Sequence, residues 1–226
     1  MTEPAVLVVG ASRGIGLEFV RQYRAEGACV IATHRAPSDA ACLRAMGAEP
    51  LQLDVLDAAA IAWLGRKLAG EQLRVAVINA GIYGPRTQGL AAPEEEEFDA
   101  VMHTNVLAAM RLIPLLAPPL AAARGRLAVL SSRMGSVSLM QSSSGWLYRA
   151  SKAALNAVLK AASIELSAQG IVCVALHPGW VRTDMGGAGA DIDVADSVAG
   201  MRRAIAAADA SHNGGFFNYD GERLAW

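Results

Sequence analysis

Two textures alternate along the chain. Short runs rich in apolar residues, mostly Val, Leu, Ile and Ala but Phe and Tyr in the last, occupy residues 5–9, 28–33, 50–53, 73–78, 126–130, 171–176 and 215–219. Most of these runs are apolar at nearly every position, the pattern of strands buried on both faces. Between them lie longer mixed stretches, closed by glycines or charged residues, that predict helices over 17–26, 37–46, 57–69, 93–116, 148–170 and 194–208. Pro93 suits the first position of the fourth helix, with Glu94 to Glu97 at the positive end of its dipole. Pro114 is expected to kink or end that helix. Residues 82–92 read as a loop and 133–144 as a serine-rich one. Strand and helix alternate without repeat or linker. That predicts one α/β domain over 1–226: a doubly wound, parallel, seven-stranded sheet in three α-β-α layers.

Composition narrows the possibilities. The chain has 226 residues, 53% of them hydrophobic, and a net charge of −1 with no basic stripe, so neither nucleic acid nor an acidic membrane is an expected partner. Three widely spaced cysteines, Cys29, Cys42 and Cys173, form neither a disulfide framework nor a zinc motif, and no metal site is expected. Reduced thiols point to the cytoplasm. The start, Met1-Thr2-Glu3-Pro4, lacks signal-peptide character, and no uninterrupted apolar run matches a bilayer.

Candidate chemistry gathers at the strand ends, where ligands of such sheets bind. The first strand runs into Gly10-Ala11-Ser12-Arg13-Gly14-Ile15-Gly16, a glycine turn opening a helix. Unpaired N–H groups and the helix dipole there suit the pyrophosphate of a dinucleotide. After the second strand stands Arg35, with no carboxylate. Arg35 and Arg13 therefore favour NADP(H) over NAD(H), unless they are merely solvated. Asp54, followed by Val55, is placed either for an adenine amino group or to cap the next helix. Asn79-Ala80-Gly81 leaves the fourth strand: Asn79 is suited to bridge backbone, and Gly81 to admit a ribose. Asn105 is a buried amide needing a partner. After the sixth strand, Pro178, Gly179, Val181 and Thr183 form a turn, with the Thr183 hydroxyl aimed at a nicotinamide carboxamide or the phosphates. Met134, Met140, Trp146, Trp180 and Met185 are candidate pocket walls.

The sharpest signal is Tyr148-Arg149-Ala150-Ser151-Lys152. Residues four apart share a helix face. At ~4 Å and an effective dielectric of ~20, a lysine charge lowers a tyrosine pKa by roughly three units, or ~4 kcal/mol. That would bring Tyr148 into range as a general acid.

Taken together these residues resemble a short-chain dehydrogenase/reductase over nearly the whole chain. The matching elements are the Gly10 to Gly16 loop, Asn79-Ala80-Gly81, Pro178-Gly179 with Thr183, and the set Asn105, Ser132, Tyr148 and Lys152. Within that family, the segments 131–136, 148–152 and 216–221 are similar to the carbonyl-reductase and C-factor-like branch. The resemblance implies a Rossmann domain and reversible reduction of an aldehyde, ketone or quinone to an alcohol with NADPH. Tyr148 would give the proton, Ser132 orient the carbonyl oxygen and Lys152 bind the nicotinamide ribose, while Asn105 would hold a water. It also implies a dimer or tetramer. The Ser132-to-Tyr148 spacing is longer than usual, so Ser136 stays a rival for the serine role. A regulatory or signalling NADP(H) binder with little catalysis is the alternative, and a nucleotide-sugar epimerase or dehydratase a remoter one.

Overall fold

The computed structural model describes residues 3–87 and 89–226. Met1 and Thr2 of the N-terminal reading, and Gln88 of the 82–92 loop, lie outside the described residues. In chain order the elements are β1 Ala5–Val9, α1 Gly14–Ala25, β2 Val30–His34, α2 Ala40–Ala45, β3 Glu49–Gln52, α3 Ala58–Lys67, β4 Leu73–Ile78, α4 Glu95–Met102, α5 Ala108–Ala122, β5 Arg126–Leu130, α6 Trp146–Ser167, β6 Val172–His177, α7 Val194–Ala207 and β7 Gly215–Asn218. One parallel sheet contains all seven strands in the order β3-β2-β1-β4-β5-β6-β7. The doubly wound reading is thus observed. The order reverses between β1 and β4, which opens a crevice at their carboxyl ends.

Pleating explains why the strands read as unbroken apolar runs. In β1, Ala5, Leu7 and Val9 face a core completed by Leu64 of α3, Leu112 and Leu116 of α5 and Leu159 of α6. Val6 and Val8 face the other core, with Phe19 and Val20 of α1, Leu43 of α2 and Met201 of α7. Both faces of the sheet are covered by helices, which is the three-layer arrangement.

Three local expectations are corrected. The first helix starts at Gly14 rather than Leu17. Pro93 precedes α4 instead of opening it: Glu94 is the N-cap, and its N–H donates to Glu97 Oε2 at 3.1 Å. Pro114 neither ends nor divides α5, which continues through Pro118 and Pro119 to Ala122. Proline in a helix interior costs about 3 kcal/mol. Here the carbonyl that Pro114 cannot bond belongs to Met110, which is exposed to water. Burial of Leu112, Ile113, Leu116 and Leu120, at about 1.5–3 kcal/mol each, works against these losses and keeps the segment helical.

α4 and α5 are joined by a π-helical turn, His103–Leu107, into one continuous helical segment. That segment is long and apolar enough by composition to cross a membrane, although 56% of its most apolar window is buried inside the fold, as in a core helix.

Candidate active site

The glycine turn is built as a cradle. Gly10 takes a left-handed backbone, φ +84°, and a Cβ on Gly16 would lie 2.0 Å from the Gly10 carbonyl oxygen. Residue 16 therefore has room for no side chain. No side chain caps the N-terminus of α1. Its first N–H groups are left for an anion. Thr33 Oγ1 accepts from Gly10 N–H at 2.9 Å, and Asn79 Nδ2 donates to Gly10 O at 2.6 Å. The bridging role read for Asn79 is thus seen. Ser12 and Ile15 line the half-buried rim of the turn and Ala80 packs beneath it. These features fit a dinucleotide pyrophosphate.

The adenosine end is more open. Arg35 is exposed beyond β2. Arg13 does not point freely into the crevice: its guanidinium pairs with Asp184 at 2.9 Å. Asp54 does not cap α3, since Asp57 does so by accepting from the N–H groups of Ala59 and Ala60. Asp54 Oδ1 instead accepts from Leu56 N–H at 2.9 Å, which fixes the turn through Val55. At the other end, Pro178 O accepts from Ser197 Oγ at 2.6 Å, tying the turn after β6 to α7. Val181 bridges to Ile192, and Thr183 sits against Gly14.

The residues expected to handle protons converge at the ends of β4 and β5. Asn105 is buried on the π-turn, which turns its amide toward the strand end. Its Oδ1 accepts from Ile82 N–H at 2.8 Å, while Nδ2 donates to Ile82 O at 2.8 Å and to Ser151 Oγ at 2.9 Å. Both amide donors are engaged, so the amide locks the β4 exit to α6. A Cβ on Gly81 would lie 3.2 Å from Asn105 Oδ1 and 3.4 Å from Lys152 Nζ, so this glycine keeps the space between them clear.

Tyr148 and Lys152 share one buried face of α6, with the ammonium 5.6 Å from the Tyr148 ring centroid. Lys152 Nζ donates to Leu130 O at 2.8 Å. The electrostatics differ from expectation. Burial pushes the Tyr148 phenol up to about 12; the Ser132 hydroxyl works against that rise and the Tyr83 phenol adds to it. Burial also draws Lys152 down to about 8. Desolvation, which charge spacing along a helix does not register, outweighs the lysine's attraction for a phenolate.

The two serines separate cleanly. Ser132 Oγ accepts from Met134 N–H at 3.1 Å and lines the cavity, leaving its hydrogen to donate. Ser136 is fully buried; its hydroxyl donates to Ala225 O at 2.8 Å and accepts from Leu139 N–H at 3.1 Å.

A cavity of ≈ 510 Å³ lies over Ser132 and Tyr148 and reaches Ile15, Pro178, Gly179, Val181 and Thr183. Met134, Trp180 and Met185 line it as expected. Met140 and Trp146 do not; the Trp146 indole N–H donates to Ala91 O at 3.1 Å instead. Sequence reasoning missed Tyr83, whose ring stacks on Tyr148 with centroids 4.7 Å apart, as well as Arg86 and His177. Tyr83 stands two residues beyond Asn79-Ala80-Gly81 at a strand end, and that position was the available signal.

The arrangement is a dinucleotide cradle continuous with a small, mostly apolar cavity that holds a protonated phenol. Residues 4–191 match the family model described as short chain dehydrogenase. The C-signal protein of Myxococcus xanthus is 38% identical over 67% of this chain and 92% of its own. Among solved structures, carbonyl reductase Sniffer of D. melanogaster superposes with a TM-score of 0.92 at 31% identity, and an NADPH-bound carbonyl reductase from chicken fatty liver with 0.90 at 33%; each alignment covers both chains completely.

Proposed function

The chain belongs to the short-chain dehydrogenase family, and we propose that it is an NADPH-dependent reductase converting the carbonyl group of a small aldehyde, ketone or quinone to an alcohol, or the reverse. The observation that carries this reading is the cavity in which Ser132 and Tyr148 face the same space as the glycine turn's Ile15 and the Pro178-Gly179 turn. The bound dinucleotide supplies the hydride. Gly10, Gly14 and Gly16 with the α1 N-terminus would hold its pyrophosphate, Asp54 and Val55 its adenine, and Asn79, Ala80 and Gly81 its ribose. Preference for NADP(H) over NAD(H) is supported by Arg35 at a strand end without a carboxylate, and by the NADPH-bound relative.

Tyr148 gives its proton to the substrate oxygen. With its pKa near 12 it is fully in the acid form at neutral pH, which suits reduction and disfavours the reverse reaction. Ser132 donates a hydrogen bond to the same oxygen as negative charge develops there. Lys152 keeps two ammonium hydrogens beyond its bond to Leu130 for the nicotinamide ribose. Asn105 positions this group through Ile82 and Ser151, and the remaining lone pair of its Oδ1 is the place for the relay water. Exposed Phe98, Met110 and Ile164 on α4, α5 and α6 support self-association through those helices, and the free thiols of Cys29 and Cys42 support a cytoplasmic location.

The test is Tyr148→Phe. NADPH affinity should stay within about threefold while carbonyl reduction drops by about 10²- to 10⁴-fold, the scale of a lost general acid. Undiminished turnover would remove Tyr148 from the mechanism. The likeness to C-signal favours a second reading, a signalling NADP(H) binder with little catalysis. Failure of the wild-type protein to consume NADPH with any aldehyde, ketone or quinone would favour it.

A further inference from the structure

Three arginines line the cavity over Tyr148, namely Arg86, Arg133 and Arg149, and no carboxylate does so among the described residues. Arg86 comes from the loop between β4 and α4. Its guanidinium lies 5.0 Å from the Tyr83 ring centroid, and Nη2 donates to Met185 O at 2.9 Å. Arg149 follows Tyr148 on α6, and its Nε donates to Ser144 O at 2.8 Å. Arg86 and Arg149 thus each have one guanidinium N–H on a backbone carbonyl, which fixes its position, and four others free of those bonds. Nearby carboxylates are committed elsewhere, Asp184 to Arg13 and Asp193 to Arg182. Burial, with Arg133 adding to it, draws His177, another lining residue, down to about 4, so it brings no charge of its own at neutral pH. The rest of the wall is largely apolar, with Tyr83, Met134, Leu139, Trp180 and Met185.

Arg86 is exposed and Arg149 half-buried, so both guanidinium groups stand where the cavity meets water, within reach of the far end of a bound substrate. We propose that the substrate is a carbonyl compound with an apolar body and a carboxylate at its far end, and that Arg86 and Arg149 select it by receiving that carboxylate. This rests on the reductase reading of the same site. Planar guanidinium forks match carboxylates in a bidentate manner, so charge and geometry agree.

The experiment compares oxo acids from 4-oxopentanoate to 7-oxooctanoate with their methyl esters, following NADPH consumption by the wild-type protein and by Arg86→Gln, Arg149→Gln and Arg86→Lys. Wild type should favour the acid by about 10- to 100-fold in kcat/KM at the best chain length, the scale of hydrogen bonds to a charged group. The acid-to-ester ratio should fall toward one in the Gln variants, recover in part in Arg86→Lys, and fall with added salt. NADPH affinity, measured in the same variants, should stay put. Esters turned over as fast as acids at every length would overturn the proposal while leaving the reductase reading intact. A ratio unchanged in both Gln variants, or a loss confined to NADPH affinity, would also overturn it. If neither acids nor esters are reduced while other aldehydes, ketones or quinones are, this inference falls and the reductase reading stands; if no carbonyl compound is reduced, both fall.

Discussion

Lys152 is a charge buried with no carboxylate bonded to it, and replacing it makes a quantitative prediction. Lys152 is 4% exposed and its pKa is drawn from 10.5 to about 8. At about 1.36 kcal/mol for each factor of ten in proton affinity, folding works against the charged lysine by ~3 kcal/mol. The sign follows from proton counting. Between pH 8 and 10.5 the unfolded chain binds more protons at this site than the folded chain, so stability rises with pH across that window. Below pH 8 the full penalty stands; above 10.5 it is gone. Lys152→Met removes the titration. Its absolute stability also depends on the lost bond to Leu130 O and on how the thioether packs. The pH dependence does not, because those contributions are the same at every pH. The unfolding free energy of the variant minus that of wild type should therefore drop by ~2–3 kcal/mol between pH 7 and pH 10, read from urea melts at matched ionic strength. A difference that stays flat within error would refute the claim that a desolvated ammonium occupies this position. Carbonyl reduction by the variant should be severely reduced at every pH, so the site sacrifices stability to keep the charge.

Further predictions concern the rest of the site. In the reductive direction kcat/KM should decline above about pH 8, as Lys152 loses its charge, well before Tyr148 gives up its proton near 12; a plateau extending past pH 10 would contradict this order. Ser132→Ala should slow reduction by about 10²- to 10³-fold with little change in melting temperature. Ser136→Ala should do the opposite, costing about 1–3 kcal/mol by leaving Ala225 O and Leu139 N–H without their partner, with turnover retained. Gly16→Ala would drive a methyl into the Gly10 carbonyl and Asn79 Nδ2, so NADPH titration should show binding weakened at least tenfold or the chain should fail to fold; wild-type affinity would rule out the cradle geometry.

What the sequence determined by itself is what short-range patterns encode. Strands apolar on both faces, as in β1, β4 and β5, announced a sheet covered on both sides, and their limits are those observed. The glycine turn and the exits of β4 and β6 were legible because close approach and sharp turns restrict residue type locally. The i, i+4 placement of Tyr148 and Lys152 on one face follows from helix geometry alone.

Only the tertiary structure decided the rest, because burial and long-range partners carry no local signature. The stacking of Tyr83 on Tyr148 joins the segment after β4 to helix α6, distant in sequence. That Ser132 faces the cavity while Ser136 is engaged elsewhere depends on residues remote in sequence, since Ala225 O accepts the latter's hydroxyl hydrogen. Helix α5 passes its prolines because its leucines are buried, which propensity does not see. Above all, the proton affinity of Tyr148 is set first by the water it loses rather than by the lysine one turn away, and desolvation is a property of everything packed around a group.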